Sequence, residues 1–202
     1  MKKINVFSAV GVCLAINLSA QSFEAHIQKG FQFHNQCDYR SAITEFSTAM
    51  NYDSTCTIPW ILRGDSKADL QDYKGAISDY TRATVIAPNE PTAYFKRGMA
   101  YSSLEKYQSA LNDFDRVIRL NPKDAEAYYN RGITKSKLDD MIGAITDCNK
   151  AIDMAPKGGE AYYNRGMSKY SNGDRLGACE DWEKAEKAGH EGATKKRSVF
   201  CR

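Results

Sequence analysis

Basic and acidic side chains recur together along this chain of 202 residues. The interval is 34 residues, and each basic residue is paired with an acidic residue at a fixed later position. The pairs are Lys29 and Glu45, Arg63 and Asp79, Arg97 and Asp113, Arg131 and Asp147, and Arg165 and Asp181. One acid per interval cannot assemble the paired carboxylates of acid–base catalysis. Since the charges are complementary, we predict a ladder of ion pairs between the two helices of a repeat or between adjacent repeats, with solvation of both groups as the alternative.

Other residues that could support catalysis are sparse and unordered. The three histidines, His26, His34 and His190, share no metal-ligand spacing with cysteines or acids. The sequence has no glycine-rich phosphate loop, no serine nucleophile elbow and no HExxH motif. It therefore predicts a protein that is not an enzyme, with no catalytic residues, no metal and no cofactor.

Small, aromatic and proline residues follow the same interval. A glycine inside a helix costs roughly 1 kcal/mol relative to alanine, so a recurring glycine predicts close approach of a second helix. The recurring residues are Gly30, Gly64, Gly98, Gly132 and Gly166; Ala42, Ala76, Ala110, Ala144 and Ala178; Phe46, Tyr80, Phe114, Cys148 and Trp182; and Pro88, Pro122 and Pro156.

This order of glycine, small residue, aromatic residue and late proline resembles the tetratricopeptide repeat (TPR), a helix–turn–helix unit. The resemblance implies an all-α fold, a right-handed α–α superhelix of five repeats with a short C-terminal cap. We expect the first helix of each repeat to span about fourteen residues and the second to start near the fifteenth. The predicted repeats, from whose first residues positions are counted below, are 23–56, 57–90, 91–124, 125–158 and 159–192.

The family resemblance also implies where a ligand would bind. In this family the first helices line a concave groove, and positions 5 and 9 point into it. Those positions are mostly apolar or aromatic here, which suits a peptide or a helix of a partner protein. Core packing between repeats is the alternative, above all for position 5. The residues are Ile27, Phe31, Ile61, Asp65, Phe95, Met99, Tyr129, Ile133, Tyr163 and Met167.

One well-known ligand mode of the family is excluded by the sequence. The clamp for C-terminal carboxylates of cytosolic chaperones needs lysine at position 5 and asparagine at position 9 of one repeat. No repeat of this chain has either residue there.

The first twenty residues differ from the rest. Lys2 and Lys3 precede a mostly apolar run that ends before Gln21, which is typical of a cleaved secretory signal peptide at residues 1–20. An uncleaved membrane anchor is the alternative. Of the 28 basic residues two lie in this segment, which leaves 26 against 25 acidic residues. This balance gives no general electrostatic case for nucleic-acid or anionic-membrane binding.

The end of the chain carries a second resemblance. The segment Ala-Cys-Glu-Asp-Trp, followed by a final cysteine, is similar to the terminal repeat of exported TPR proteins from Bacteroidetes-type bacteria. The resemblance implies a Cys179–Cys201 disulfide that holds residues 193–202 as a cap, with Val199 and Phe200 folded onto the last helix. A reactive or intermolecular Cys201 is the alternative.

The remaining cysteines are not assigned to disulfides. Cys37 and Cys56 are separated by the length of a helix, roughly 20 Å, which is too far for a disulfide. Cys148 occupies the aromatic position of its repeat and is interpreted as an apolar core residue. The sequence does not fix the state of these three.

The functional prediction is a non-catalytic scaffold in the bacterial envelope, periplasmic or secreted. It would bind a protein or peptide partner, with no nucleic acid and no membrane insertion after signal cleavage. The alternative is a structural component that self-assembles through its convex face or a cysteine. The partner and the oligomeric state stay open.

Overall fold

The computed structural model describes residues 18–155 and 158–201. Over this part of the chain it contains eleven α-helices and no strand. Residues 1–17 of the predicted signal peptide, and Pro156, lie outside the described residues. The first helix begins at Leu18, three residues before the expected cleavage point. None of the described helices is both long and apolar enough to span a membrane.

The described residues up to Asn89 form one compact unit, called the N-terminal unit here. Its described part contains two antiparallel helix pairs, in which each helix packs on the next. Aspartates cap the second helices, since Asp38 accepts from the N–H of Ser41 and Asp72 from the N–H of Gly75. The helices are α1 (Leu18–Asn35), α2 (Tyr39–Ala49), α3 (Ile58–Asp69) and α4 (Tyr73–Ile86).

Residues Glu90–Arg202 form the second compact unit, called the C-terminal unit. It contains three helix pairs and a final single helix packed on the last pair. The first helices α5, α7 and α9 contact one another in turn, and the second helices lie on their other side. The helices are α5 (Pro91–Ser103), α6 (Tyr107–Leu120), α7 (Ala125–Lys137), α8 (Met141–Met154), α9 (Gly159–Ser171), α10 (Arg175–Lys187) and α11 (Glu191–Phe200).

The second helix of every repeat starts at position 17, later than the sequence suggested. The delay has a local cause, because position 15 adopts a positive φ in all five repeats and so cannot continue the first helix. The values are 61° at Cys37, 62° at Gln71, 56° at Glu105, 62° at Asp139 and 90° at Gly173.

The recurring small and aromatic residues form the core, as predicted. All five alanines at position 20 have no exposed surface, and the residues at position 24 are at most 2% exposed. The glycine of each repeat lies against the position-24 side chain, so a Cβ at Gly64 would lie 2.6 Å from Cε1 of Tyr80. At Gly132 the facing residue is Cys148, and a Cβ there would lie 3.4 Å from Sγ of Cys148 and 3.2 Å from the backbone oxygen of Ala144.

These contacts predict unequal effects of two alanine substitutions. Gly64→Ala should lower the free energy of unfolding by about 1–3 kcal/mol, since overpacking outweighs the gain in helix propensity. Gly132→Ala should cost clearly less, because the smaller Cys148 side chain leaves more room. Chemical denaturation of both variants checks this. Equal losses would contradict the packing role of the position-24 ring.

The C-terminal cap is a helix and starts earlier than residue 193. The segment α11 packs on α10 through Ala193, which has no exposed surface. Phe200 contacts the core as expected, with its ring 6.1 Å from that of Trp182. The expectation for Val199 is wrong, because its side chain is 66% exposed. In α11 the small side chain of Ala193 packs on α10, and the β-branched side chain of Val199 faces the solvent.

The structure contains the disulfide between Cys179 and Cys201, with their Cα atoms 5.8 Å apart. It ties α10 to the end of α11. Cys37 is exposed at its turn, whereas Cys56 and Cys148 are buried. Burial raises the pKa of Cys148 to about 12, so this thiol stays protonated and unreactive at neutral pH.

Candidate partner-binding site

The predicted ladder of ion pairs is confirmed within the repeats. In the four later repeats the arginine at position 7 binds the aspartate at position 23 through two parallel hydrogen bonds. In repeat 4, Arg131 donates from Nε at 2.8 Å and from Nη2 at 2.6 Å to Asp147. The same geometry joins Arg63 to Asp79, Arg97 to Asp113, and Arg165 to Asp181. All four aspartates are buried, so the alternative of two solvated groups does not apply.

A third charge completes most of these pairs, and sequence reasoning missed it. A lysine at position 11, one turn after the arginine, binds the same carboxylate in three repeats. The distances are 2.8 Å for Lys67–Asp79, 2.8 Å for Lys135–Asp147 and 2.9 Å for Lys169–Asp181. Each of these three aspartates is therefore paired with two cations, which offsets the cost of burying its charge. The recurrence of lysine at this position was visible in the sequence.

The arginines also stack on aromatic rings at position 4. The guanidinium carbon lies 5.1–5.5 Å from the ring centroid in each case. This cation–π contact occupies the tyrosines that the sequence shows beside the groove positions. The pairs are Arg63 with Trp60, Arg97 with Tyr94, Arg131 with Tyr128, and Arg165 with Tyr162.

The same arginines join consecutive repeats inside each unit. The remaining Nη1 group of Arg131 donates to Asp115 of the preceding repeat at 2.7 Å. Arg165 likewise donates to Asn149 at 2.6 Å, and Arg63 donates to Ser47 at 2.9 Å. The ladder thus fixes the stacking of one helix pair on the next. The ladder residues therefore stabilise the stacking of the repeats, and a ligand on the first helices would contact other residues.

Repeat 1 carries a weaker version of the ladder. Glu45 replaces aspartate and accepts from Lys29 at 2.6 Å and from His26 at 2.6 Å. Hydrogen bonds from Lys29, and then His26, lower the pKa of Glu45 below its ordinary value. An acid whose pKa is lower in the folded state stabilises the fold above its unfolded pKa and loses that effect as pH falls.

This arrangement predicts a pH-dependent difference between the protein and its Glu45→Gln variant. Above about pH 5 the variant should be less stable, because the unfolded glutamate has a pKa of about 4.3. The difference should shrink as pH falls through the lower folded pKa. Denaturation midpoints of both proteins, measured from roughly pH 3 to about pH 7, check the trend. A difference independent of pH would contradict it.

The predicted groove residues of the N-terminal unit are only partly available. Ile27 is 3% exposed and packs in the core with Ala42 and Phe46, so the core alternative holds there. Phe31 lies edge-on to Phe46, with centroids 6.1 Å apart. Ile61 and Asp65 are half-buried, and Asp65 accepts from the hydroxyl of Tyr80 at 2.7 Å.

In the C-terminal unit the predicted groove residues lie on α5, α7 and α9, and the Phe95 ring packs edge-on to Phe114 with centroids 5.8 Å apart. None of its six groove residues is fully buried, and Met99 is 43% exposed. We call this set the groove face: Phe95, Met99, Tyr129, Ile133, Tyr163 and Met167. These six residues lie on three successive helices, of which α5 contacts α7 and α7 contacts α9.

Polar groups and the cap limit one end of the groove face. The Tyr163 ring is stacked on His190 of the segment before α11, with centroids 4.2 Å apart. His190 also binds Glu160 at 3.2 Å, and the Tyr129 hydroxyl accepts from Asn164 at 3.0 Å. Tyr163 is therefore partly covered by the cap. Among the described residues no His, Cys, Asp and Glu group is arranged to hold a metal.

Family models match the middle of the chain. Residues 91–124 and 114–146 match models described as tetratricopeptide repeat, and residues 64–104 match one described as TPR repeat. Residues 64–146 therefore contain tetratricopeptide repeats. Together with the eleven helices described above, these matches confirm the predicted all-α TPR fold. No curated protein sequence matches the chain.

Solved TPR structures share the fold at low identity. MamA from Desulfovibrio magneticus RS-1 (residues 41 to the end) superposes with a TM-score of 0.79 at 20% identity, over 83% of this chain and 95% of that one. YrrB, described as a TPR protein with an unusual peptide-binding site, gives 0.75 at 18% identity, over 92% and 100%. TTC0263 from Thermus thermophilus gives 0.67 at 16% identity, over 89% and 98%. At these identities the likeness concerns the fold.

Proposed function

We propose that the protein is a non-catalytic scaffold that binds a peptide or a helix of a partner protein on its groove face. The observation that carries the proposal is the incomplete burial of all six groove-face side chains on three contacting helices. Apolar side chains that a fold leaves accessible in a row are suited to apolar anchors of a ligand. Met99 adds an adaptable contact, because its side chain is flexible and polarisable.

The other parts of the structure support a scaffold rather than an enzyme. The position-23 aspartates of the ladder are each buried against one or two cations. A carboxylate held in this way fixes geometry and has no access to a substrate. The peptide-binding description of YrrB supports the same function, through the shared fold alone.

We place the protein in the envelope of a Gram-negative bacterium, periplasmic or secreted after signal cleavage. The support is the basic and apolar pattern of residues 1–20 together with the disulfide in the terminal repeat. Mass spectrometry of the protein recovered from its native host should show an N-terminus near Gln21. An intact Met1 in the mature protein would contradict this location.

A matched pair of variants tests the groove. Met99→Glu places a charge on the groove face, whereas Ile142→Glu places one on the second helix α8, where Ile142 is 70% exposed. Proteins that co-purify with the tagged chain from its own host should be lost with Met99→Glu and kept with Ile142→Glu. Loss with Ile142→Glu alone would favour binding through the second-helix side.

Self-assembly through Cys37 is the second candidate, and its support is the exposure of that thiol at a turn. Gel filtration with and without reductant separates the two functions. A covalent dimer that disappears with reductant and with Cys37→Ser would favour assembly. A profile unaffected by both treatments would remove this candidate.

A further inference from the structure

Three apolar side chains are exposed around the disulfide at the end of the C-terminal unit. Leu176 is 83% exposed, Val199 66% and Phe200 39%. Leu176 lies one helical turn before Cys179, and the other two directly precede Cys201. We call these three residues the C-terminal apolar face. Phe200 lies beside the disulfide, because its carbonyl oxygen is 4.0 Å from Sγ of Cys179. Exposed apolar side chains that cluster in this way mark an interaction site more often than a single exposed residue does.

Cations surround this face. The ammonium of Lys196 lies 5.4 Å from the centroid of the Phe200 ring. The guanidinium of Arg175 lies 5.9 Å from the ring of Tyr170, which in turn is 4.8 Å from Phe200. Lys195 precedes Lys196 on the same helix. Lys195 and Lys196 precede Val199 and Phe200 by four residues each, so the basic and apolar side chains of α11 lie on the same side of that helix.

Two of the nearby acids are paired with cations. Glu186 binds Arg197, and Glu183 binds Lys187 at 2.8 Å. Glu180 is the exposed acid next to Cys179 on α10. Asp174, which caps α10, is exposed beside Arg175. Outside the two pairs, Arg175, Lys195 and Lys196 exceed these two acids by one positive charge. The chain's overall charge gives no general attraction to anionic membranes, so this local arrangement is the basis of the inference.

We propose that the C-terminal apolar face docks on an anionic lipid surface. Leu176, Val199 and Phe200 would enter the region between headgroups and acyl chains. Lys195, Lys196 and Arg175 would lie among the lipid phosphates. Aliphatic and aromatic side chains flanked by basic residues are typical of proteins that lie on a membrane surface. The disulfide holds the face rigid, so docking costs little conformational entropy.

A protein occupant fits this face less well. A standard protein interface buries about 800 Å² on each partner and involves twenty or more residues, whereas this face has three apolar side chains. A second copy of the chain would bring like charges together, which opposes self-association. A lipid surface needs no matching shape. Since only three apolar side chains would insert and no described helix can span a bilayer, we expect weak and reversible docking.

Tryptophan substitutions in the full chain report insertion at a chosen site. Val199→Trp places the probe on the face, and Ile142→Trp is the matched control at a similarly exposed residue of α8. The emission of the two native tryptophans is subtracted with the parent protein. With vesicles of phosphatidylcholine and phosphatidylglycerol, the added emission of Val199→Trp should shift to the blue and be quenched by brominated lipid. That of Ile142→Trp should not change. Because the readout is local, binding through residues 1–20 does not produce it.

A charge variant gives the second arm. Each basic residue near an anionic surface strengthens binding roughly fivefold. The double variant Lys195→Gln with Lys196→Gln should therefore weaken docking roughly thirtyfold. Vesicles of phosphatidylcholine alone should give little response from the probe at position 199. Groove variants such as Met99→Glu should leave this docking unchanged, which separates it from the proposed function.

Three results would overturn the proposal. The first is an equal response of both probes to anionic vesicles, and the second is no response from the probe at position 199. The third is a concentration-dependent blue shift of that probe without vesicles, which would favour self-association of the chain.

Discussion

Replacing Asp147 by asparagine should lower the free energy of unfolding by about 3 kcal/mol. The carboxylate is 2% exposed and binds Arg131 through two hydrogen bonds and Lys135 at 2.8 Å. Asparagine nearly keeps the shape of the side chain but leaves Lys135 without its counter-charge and Arg131 with only the more exposed Asp115. Loss of one partner of a buried pair typically costs about 3–5 kcal/mol, and the lower end applies because the arginine is partly exposed. Urea denaturation gives the value.

The same network supplies the control. Asp115 binds the remaining group of Arg131 at 2.7 Å, but its side chain is 34% exposed. Water can replace this contact, so Asp115→Asn should cost about 0–1 kcal/mol. Equal costs for the two variants would show that burial of the position-23 carboxylate does not determine the strength of the ladder.

Removing the Cys179–Cys201 disulfide should destabilise the C-terminal unit by about 3 kcal/mol. The bond closes a loop between residues 22 positions apart and holds α11 against Trp182, which has no exposed surface. Without it, α11 should separate first and expose this tryptophan. Cys201→Ser should therefore lower the thermal midpoint and shift tryptophan emission to the red before the main transition.

Reductant and a cysteine control distinguish this effect from other thiol chemistry. Reductant should lower the midpoint of the parent protein and leave that of Cys201→Ser unchanged. Cys37→Ser should behave like the parent, since Cys37 is exposed and outside the bond. A midpoint that reductant does not alter in the parent protein would contradict the role of the bond.

The sequence predicts the core and the ladder well because both depend on residues that recur at one interval. The glycine at position 8 has no other reason to persist in a helix, and its neighbour at position 24 follows from helix geometry. The basic and acidic residues at positions 7 and 23 are complementary in charge. Their bidentate geometry, as in Arg97 with Asp113, follows from the guanidinium shape.

The burial of single side chains depends on tertiary contacts, whereas the helix caps recur in the sequence and were overlooked. The sequence of α11 does not show whether Ala193 or Val199 packs on α10, because the orientation of a short helix about its axis depends on the surface against which it packs. The burial of Ile27 likewise depends on how α1 lies on α2. The caps of four second helices, in contrast, recur at the same interval, and the sequence carries this signal. They are Asp38, Asp72, Asp140 and Asp174.

Photocross-linking from the groove face tests the central claim most directly. A photoreactive residue at Phe95 or Tyr129, in the protein expressed in its native host, should capture one and the same partner. The cross-linked peptides should lie within one extended or helical segment of that partner. The same residue at Ile142 should not capture it. Capture from Ile142 but from neither groove position would contradict the proposal that this protein binds its partner on the first helices.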